Sequence, residues 1–175
     1  MKKNLQSISI ITEIGILIAL AIVLGNFKLF QLPVGGSVSM ASFPLILLAV
    51  RNGFKAGITG GIIFGFLSLI RTPFIVHPLQ FLLDYPIACG SIGLSGFFRW
   101  TSGKNVFFSI VSGTIPRLLC HTIAGVVFFS KSGDTIQTAF YASFIYNCGH
   151  IIPEGIIFFL LGNYIRKKHP SFISA

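Results

Sequence analysis

Long apolar runs separated by short polar breaks dominate this chain, at residues 8–27, 37–50, 56–70, 79–98, 106–129 and 138–165. A bilayer hydrocarbon core about 30 Å thick is crossed by roughly 20 apolar residues rising about 1.5 Å each. The pattern over 175 residues therefore predicts an all-α integral membrane protein with six transmembrane helices. The second and third runs are short for an upright crossing. They form either two short spans or a tight, re-entrant hairpin between Pro33 and Thr72. Both alternatives return the chain to its starting side, so the sidedness of the other runs is unaffected.

Charge sets the orientation. With the N-terminus inside, the inner loops hold Lys2, Lys3, Arg51, Lys55, Arg99, Lys104, Arg166, Lys167 and Lys168, and the outer loops hold Lys28, Arg71 and Lys131. Nine basic residues against three is the bias of cytoplasmic loops, so both termini are expected on the cytoplasmic side (N-in/C-in). Arg117 alone is left inside a run.

Composition supports lipid as the solvent. The chain is 53% hydrophobic and 10% charged, whereas a soluble domain needs about 25% charged residues. The net charge of +9 is dispersed, with no basic helix, finger or aromatic-basic stripe, so no nucleic-acid partner is expected. Thr12 and Glu13 interrupt the first run and no small-residue cleavage site follows it, which argues against a cleavable signal peptide. No extramembrane stretch is long enough to fold alone, so residues 1–175 are read as one membrane-embedded domain. Cys89, Cys120 and Cys148 are odd in number and lie inside runs, as buried small hydrophobes do.

Helices in lipid associate through close packing at small residues. Gly53, Gly57, Gly61 and Gly65 recur at every fourth position and form one stripe, against which another helix must lie. Ala88, Ser91 and Ser95 make a shorter small face. Gly15 and Ala19 form a single small-xxx-small step, whose partner helix is either in this chain or in another.

Charge inside a bilayer costs at least about 2.5 kcal/mol per residue on insertion scales, so each instance needs a partner or a purpose. Asp84, Arg117, His121, Asn147 and Glu154 are such positions. Asp84, His121 and Asn147 fall at one depth on three different runs, about 9 to 14 Å below the outer surface at 1.5 Å per residue. That convergence predicts a pocket open to the outside. Arg117, His121, Gly125 and Phe129 follow at four-residue steps on one helix face, where Gly125 leaves room beside His121. Phe140, Phe144, Asn147 and Glu154 share a face of the sixth run, flanked by Tyr141. Arg117 and Glu154 are expected to form a structural ion pair, with Glu13 a second candidate partner. Asp84 in an aromatic pocket is suited to an organic cation, by charge and ring quadrupole together; the alternative is that it caps or tethers its own helix. His121 is equally suited to an interhelical hydrogen bond or a ligand contact.

The order of motifs resembles a known family. Gly35-Gly36-Ser37-Val38-Ser39-Met40 with Pro44, Arg51-x-Gly53-x-Lys55-x-Gly57, and His77-Pro78-x-Gln80-x-Leu82-Leu83-Asp84-Tyr85 are followed by Arg117-x-x-x-His121-x-x-x-Gly125-x-x-Phe128-Phe129 and by Tyr146-Asn147 ahead of Pro153-Glu154. This series closely resembles the thiamine-specific substrate-binding subunits (S components) of energy-coupling-factor transporters. The resemblance implies six helices in a bacterial cytoplasmic membrane, capture of thiamine from outside, and a complex with a transmembrane coupling subunit and two ATPases. It implies that Asp84 faces the thiazolium, that His121 and Phe129 flank the rings, and that Asn147 bonds the aminopyrimidine. Tyr85, Gly125, Tyr141 and Ser143 fall on or beside the remaining ligand-contacting positions, and Gly15 and Ala19 on the patch that docks to the coupling subunit. The sequence departs from the family in having Phe129 where some members have Trp, and Ala142 where a Tyr is usual, with Tyr141 one place earlier.

Concentrative uptake needs energy, and this chain has no G-x-x-x-x-G-K-[ST] phosphate loop; Ser102-Gly103-Lys104 lacks the leading Gly and the following Ser or Thr. It is not expected to be an enzyme, and ATP is expected to be used only by partner subunits. One rival is a self-sufficient proton-coupled carrier of thiamine or another organic cation, with Arg117, Glu154 or His121 as the relay. A metalloenzyme built on His150 and Glu154 near Cys120 and Cys148 completes no recognised ligand spacing, so neither a metal nor a cofactor is expected.

Overall fold

The computed structural model describes residues 2–32, 36–71 and 73–173; Pro33, Gly35 and Thr72 lie outside them. Helix α1 (Lys2–Asn26) leads into a two-stranded antiparallel hairpin, β1 (Lys28–Gln31) and β2 (Ser37–Ser39), which pairs Lys28 with Ser39 and Gln31 with Ser37. Then come α2 (Ser42–Asn52) and α3 (Phe54–Arg71). The fourth helical segment, α4, spans residues 78–97 and changes pitch three times: α-helical over Pro78–Leu82, π-helical over Leu83–Ile87, α-helical over Ala88–Ser91 and 3-10 over Ile92–Phe97. Helices α5 (Gly103–Phe128) and α6 (Ile136–Lys168) and a terminal turn, α7 (Pro170–Ile173), complete the chain.

Six principal helical segments are thus present among the described residues. Three of them, within 8–26, 103–128 and 136–168, are long and apolar enough to cross a membrane. Ile8, Ile11, Ile16 and Val23 on α1, and Ile145 and Leu160 on α6, are more than half exposed. An apolar exterior of this extent requires lipid.

The second run is the main departure from expectation. Its first residues, Ser37–Ser39, form a strand rather than a helix, and α2 has only 11 residues, about 16 Å at the helical rise. Ser and Val alternate here, which suits the pleat of a hairpin. Pro44 follows within the first turn of α2, where a missing N–H leaves no intrahelical bond unmade. Every residue of α2 from Ser42 to Val50 is buried. Gly53, at φ 86°, then reverses the chain directly into α3, a conformation that a side chain would strain.

The glycine stripe explains how the helices approach. A Cβ at Gly57 would meet Ala49 and the Gly93 backbone, one at Gly61 the Cys89 carbonyl and Gly90, and one at Gly65 the Tyr85 carbonyl at 2.7 Å. From Gly57 to Gly65 the stripe therefore packs backbone to backbone, against α2 at one end and along α4, in antiparallel fashion, whereas Gly53 lies in the turn with nothing within 4 Å of its Cβ position. Gly93 and Gly96 of α4 answer it from the other side. Gly15 differs: nothing lies within 4 Å of its Cβ position, and both it and Ala19 are exposed. No helix among the described residues covers Gly15.

Below this layer Phe43 packs on Phe158 and Trp100, with ring centroids 5.5 and 6.3 Å away, and Trp100 also contacts Gly162. Near this end Arg51 of α2 forms an ion pair with Glu13 of α1, and its guanidinium sits 4.7 Å over the Phe172 ring. Glu13 is thus a partner of Arg51 and not of Arg117.

Candidate functional site

At the opposite end a cavity of about 800 Å³ opens between α4, α5, α6 and the hairpin. Local sequence builds its walls. The His77 side chain caps α4 by accepting from the Leu79 N–H at 3.1 Å, with Pro78 at the first helical position. Asp84 is therefore not the cap. It lies in the π-helical turn that accommodates Pro86, whose ring nitrogen has no proton for the helical ladder.

Asp84 is held on both oxygens. His121 Nδ1 lies 2.9 Å from Oδ1, and Gln80 Nε2 donates to Oδ2 at 2.7 Å. Gln80 is itself 1% exposed and fixed, since its Oε1 accepts from the Val76 N–H at 3.2 Å. A carboxylate aimed in this way is pre-organised toward whatever enters the cavity. Tyr85 Oη donates to the Phe74 carbonyl at 3.2 Å, and Phe74 stacks on Phe129 with centroids 5.8 Å apart. Two facing aromatic rings thus flank the carboxylate's side of the cavity.

Gly125 has a different role from the one expected. A Cβ there would collide with Ser143 Oγ, so the missing side chain admits α6 rather than leaving room beside His121. Ser143 Oγ donates across this contact to the Thr122 carbonyl at 3.0 Å. Asn147 Nδ2 donates to the Ser143 carbonyl at 2.9 Å. With its amide nitrogen used within its own helix, Asn147 has its carbonyl oxygen as the group to offer a ligand.

Asp84, Tyr85, His121, Gly125, Phe129, Ser143 and Asn147 all line the cavity. Tyr141 does not: it is 55% exposed and makes an edge contact with Phe140. Phe140 and Phe144 stack on each other on the exposed side of α6, so the lining face runs instead through Ala139, Ser143, Tyr146, Asn147 and His150. Tyr146 and His150 were not identified from sequence, although they follow Ser143 at helical spacing. Gln80 stands four residues before Asp84, one turn back on the same face, and that spacing was the available signal. Lys131 and Asp134 sit at the mouth, in the turn where the Lys131 N–H donates to Asp134 Oδ2 at 2.9 Å.

Arg117 and Glu154 lie one helical turn further in than His121 and His150, and Arg117 Nη1 is 2.6 Å from Glu154 Oε2. Neither lines the cavity. Among the described residues no group of three or more His, Cys, Asp and Glu side chains is assembled as for a metal. A second groove of about 350 Å³ between α5 and α6 is lined by apolar side chains such as Phe107, Ile110, Ile156 and Phe159, beside exposed residues of the apolar exterior.

A cavity with convergent polar groups and aromatic walls, set among the helices of a membrane protein, is the form that sites for small organic molecules take. The profile of the thiamine transporter protein family (Thia_YuaJ) matches residues 11–174, and the chain belongs to this family. It is 34% identical over 172 residues to thiamine transporter ThiT of Bacillus subtilis (strain 168), covering 90% of this chain and 89% of that one. It is 31% identical over 122 residues to thiamine transporter ThiT of Lacticaseibacillus paracasei, covering 61% of each. A solved structure of ThiT from Listeria monocytogenes has the same fold, with a TM-score of 0.82 over 97% of this chain and all of that one, at 23% identity.

Proposed function

We propose that this chain is the thiamine-capture subunit of an uptake system, taking thiamine from outside and holding it in the cavity between α4, α5, α6 and the hairpin. Thiamine joins a cationic thiazolium to a flat aminopyrimidine. The observation that carries the reading is Asp84, a carboxylate fixed by His121 and Gln80 beside the Phe74–Phe129 stack. The Asp84 carboxylate is the group that meets the positive thiazolium, and the aromatic faces add their quadrupole. Asn147 offers its carbonyl oxygen to the exocyclic amine of the pyrimidine. Membership of the thiamine transporter family and the likeness to ThiT of B. subtilis over most of both chains support the choice of ligand.

The remaining features fit the same role. Six passes follow if β2 and α2 together make the second, since three strand residues and eleven helical ones give roughly 26 Å. Both termini then face the cytoplasm and the cavity faces outward, across the bacterial plasma membrane, with residues 1–175 acting as one domain. The exposed Gly15 and Ala19 provide a flat strip on α1 for a transmembrane coupling subunit, and two ATPase subunits supply the energy. Arg117 and Glu154 are engaged with each other, so the reading assigns them no proton relay.

Calorimetry on the purified chain in nanodiscs tests the ligand: saturable binding of thiamine by the parent and its loss in Asp84→Asn are expected. A parent that binds no thiamine, or an Asp84→Asn variant that binds as the parent does, overturns the reading. Co-purification with the coupling subunit, and its loss in Gly15→Leu, tests the docking strip.

A further inference from the structure

The buried ion pair beneath the cavity has a third partner. Glu154 is 1% exposed and divides its oxygens between elements. Oε2 accepts from Arg117 Nη1 at 2.6 Å, while Oε1 accepts from the Ser39 backbone N–H at 3.0 Å, with the Ser39 hydroxyl at 3.5 Å. Arg117 Nη1 also donates to Ser42 Oγ at 3.0 Å. Helices α5 and α6, strand β2 and the first turn of α2 are thereby tied together through two side chains.

The hairpin's other holds on the bundle are apolar and backbone contacts, such as Leu32 against Gly149 of α6. All four residues of β1 are exposed. On β2, Val38 is buried, and three residues before Ser39, about 10 Å of strand, Gly36 meets the cavity. Gly36 adopts φ 66°, and a Cβ there would lie 3.3 Å from Tyr146 Oη and 3.2 Å from His150 Nδ1. The positive φ favours glycine, and the close approach leaves little room for a side chain. The hairpin thus closes one wall of the cavity by a backbone contact at Gly36 and is gripped by a charge at Ser39.

We propose that the Arg117–Glu154 pair is a positioning device for ligand retention: it holds β2 through the Ser39 amide so that Gly36 seals the cavity against Tyr146 and His150. The ligand in this proposal rests on the thiamine reading above; the grip itself rests on the hydrogen bonds alone. Both are positioning residues, since neither lines the cavity. The Glu13–Arg51 pair provides an internal contrast. It joins two helices side chain to side chain at the other end of the bundle.

Three variants separate this role from a purely structural one. Ser39→Pro removes the N–H that Glu154 accepts, together with the longer hydroxyl contacts to Glu154 and the Ala41 N–H, while leaving both charges in place. Glu154→Gln weakens the grip by removing the charge. Arg51→Gln breaks the other pair as a control. The readouts are hydrogen–deuterium exchange at Ser37 and Val38 in ligand-free protein, and the rate of thiamine dissociation from the folded fraction in stopped-flow chase experiments.

Ser39→Pro and Glu154→Gln are expected to speed exchange at Ser37 and Val38 and to speed dissociation about tenfold or more, the scale of one hydrogen bond to a charged group. Arg51→Gln is expected to lower thermal stability with both rates unchanged. If Glu154→Gln fails to fold, Ser39→Pro decides alone. Unchanged dissociation from Ser39→Pro in a parent that binds thiamine overturns the proposal, as does unchanged exchange. A parent that binds no thiamine removes the ligand reading and with it the retention role, and the exchange arm then reports on the grip by itself.

Discussion

The two ends of this bundle are built on opposite rules. At the Trp100 end, helices meet through glycine: Gly57, Gly93 and Gly96 bring backbones into contact, and the aromatic cluster of Phe43, Trp100 and Phe158 fills the remaining space. At the cavity end polar side chains bridge α4, α5 and α6 and the residues below them: Asp84 to His121, Ser143 to Thr122, Arg117 to Glu154. In lipid, close backbone packing is the available source of affinity between helices, because burial of apolar side chains gains little there. An end packed in that way has no space for a ligand. The end that binds keeps close contact at Gly65 and Gly125 and adds hydrogen bonds between helices around the space that is left. Segment α4 passes through both regimes, and its changes of pitch mark the transition.

That contrast can be broken experimentally. The largest effect is expected from Asp84→Asn, which removes the Asp84 charge and replaces one of its two acceptor oxygens, held by Gln80 and His121, with an amide nitrogen that cannot accept. Loss of one partner of a buried charge pair costs about 2–5 kcal/mol, so thiamine affinity should fall about 30-fold or more by calorimetry, with the melting temperature little changed. At the other end the pattern should invert. Gly93→Ala places a Cβ against the Ile58 and Gly57 backbone, which cannot rotate away. Overpacking of this kind costs about 1–3 kcal/mol, to be seen as a lower melting temperature with unaltered affinity in the folded fraction.

Gly125→Ala stands between the two. Its Cβ meets the Ser143 side chain, which can turn aside but then loses its bond to Thr122. One neutral hydrogen bond of about 1 kcal/mol predicts a roughly fivefold weaker affinity and a small drop in melting temperature. The smallest effect belongs to Tyr141→Ala, whose side chain is away from the cavity; thiamine affinity should match the parent. Trp100 supplies a similar check from the far end. It is buried against Phe43 and Gly162, so saturating thiamine should leave its emission unchanged. Direct stacking quenching of Trp100 would place the ligand at the wrong end.

The runs at 56–70, 106–129 and 138–165 were legible in the sequence to within a few residues of α3, α5 and α6, because a lipid-facing helix must be apolar along its whole length. Asp84, His121 and Asn147 were legible as a group for the converse reason: a polar group at membrane depth is costly unless it has a use. The run at 37–50 was misread in part, since hydropathy does not distinguish a strand from a helix when both are buried. Tyr141 was placed in the site by its distance from Asn147 along the chain. A family position one residue away carries no information about which side of a helix faces inward, and one step turns a side chain by about 100°.

The solvent, the helical class, the positions where helices must touch and the polar residues that must be partnered are all legible in the residue order, because each follows from the cost of exposing the wrong group to lipid. Tertiary structure alone decided who partners whom. Glu13 belongs to Arg51 and Glu154 to both Arg117 and Ser39, and Gly125 makes space for a helix rather than a ligand. Those choices depend on the rotation and register of helices far apart in the chain. Composition and spacing constrain them only up to alternatives that close packing then resolves.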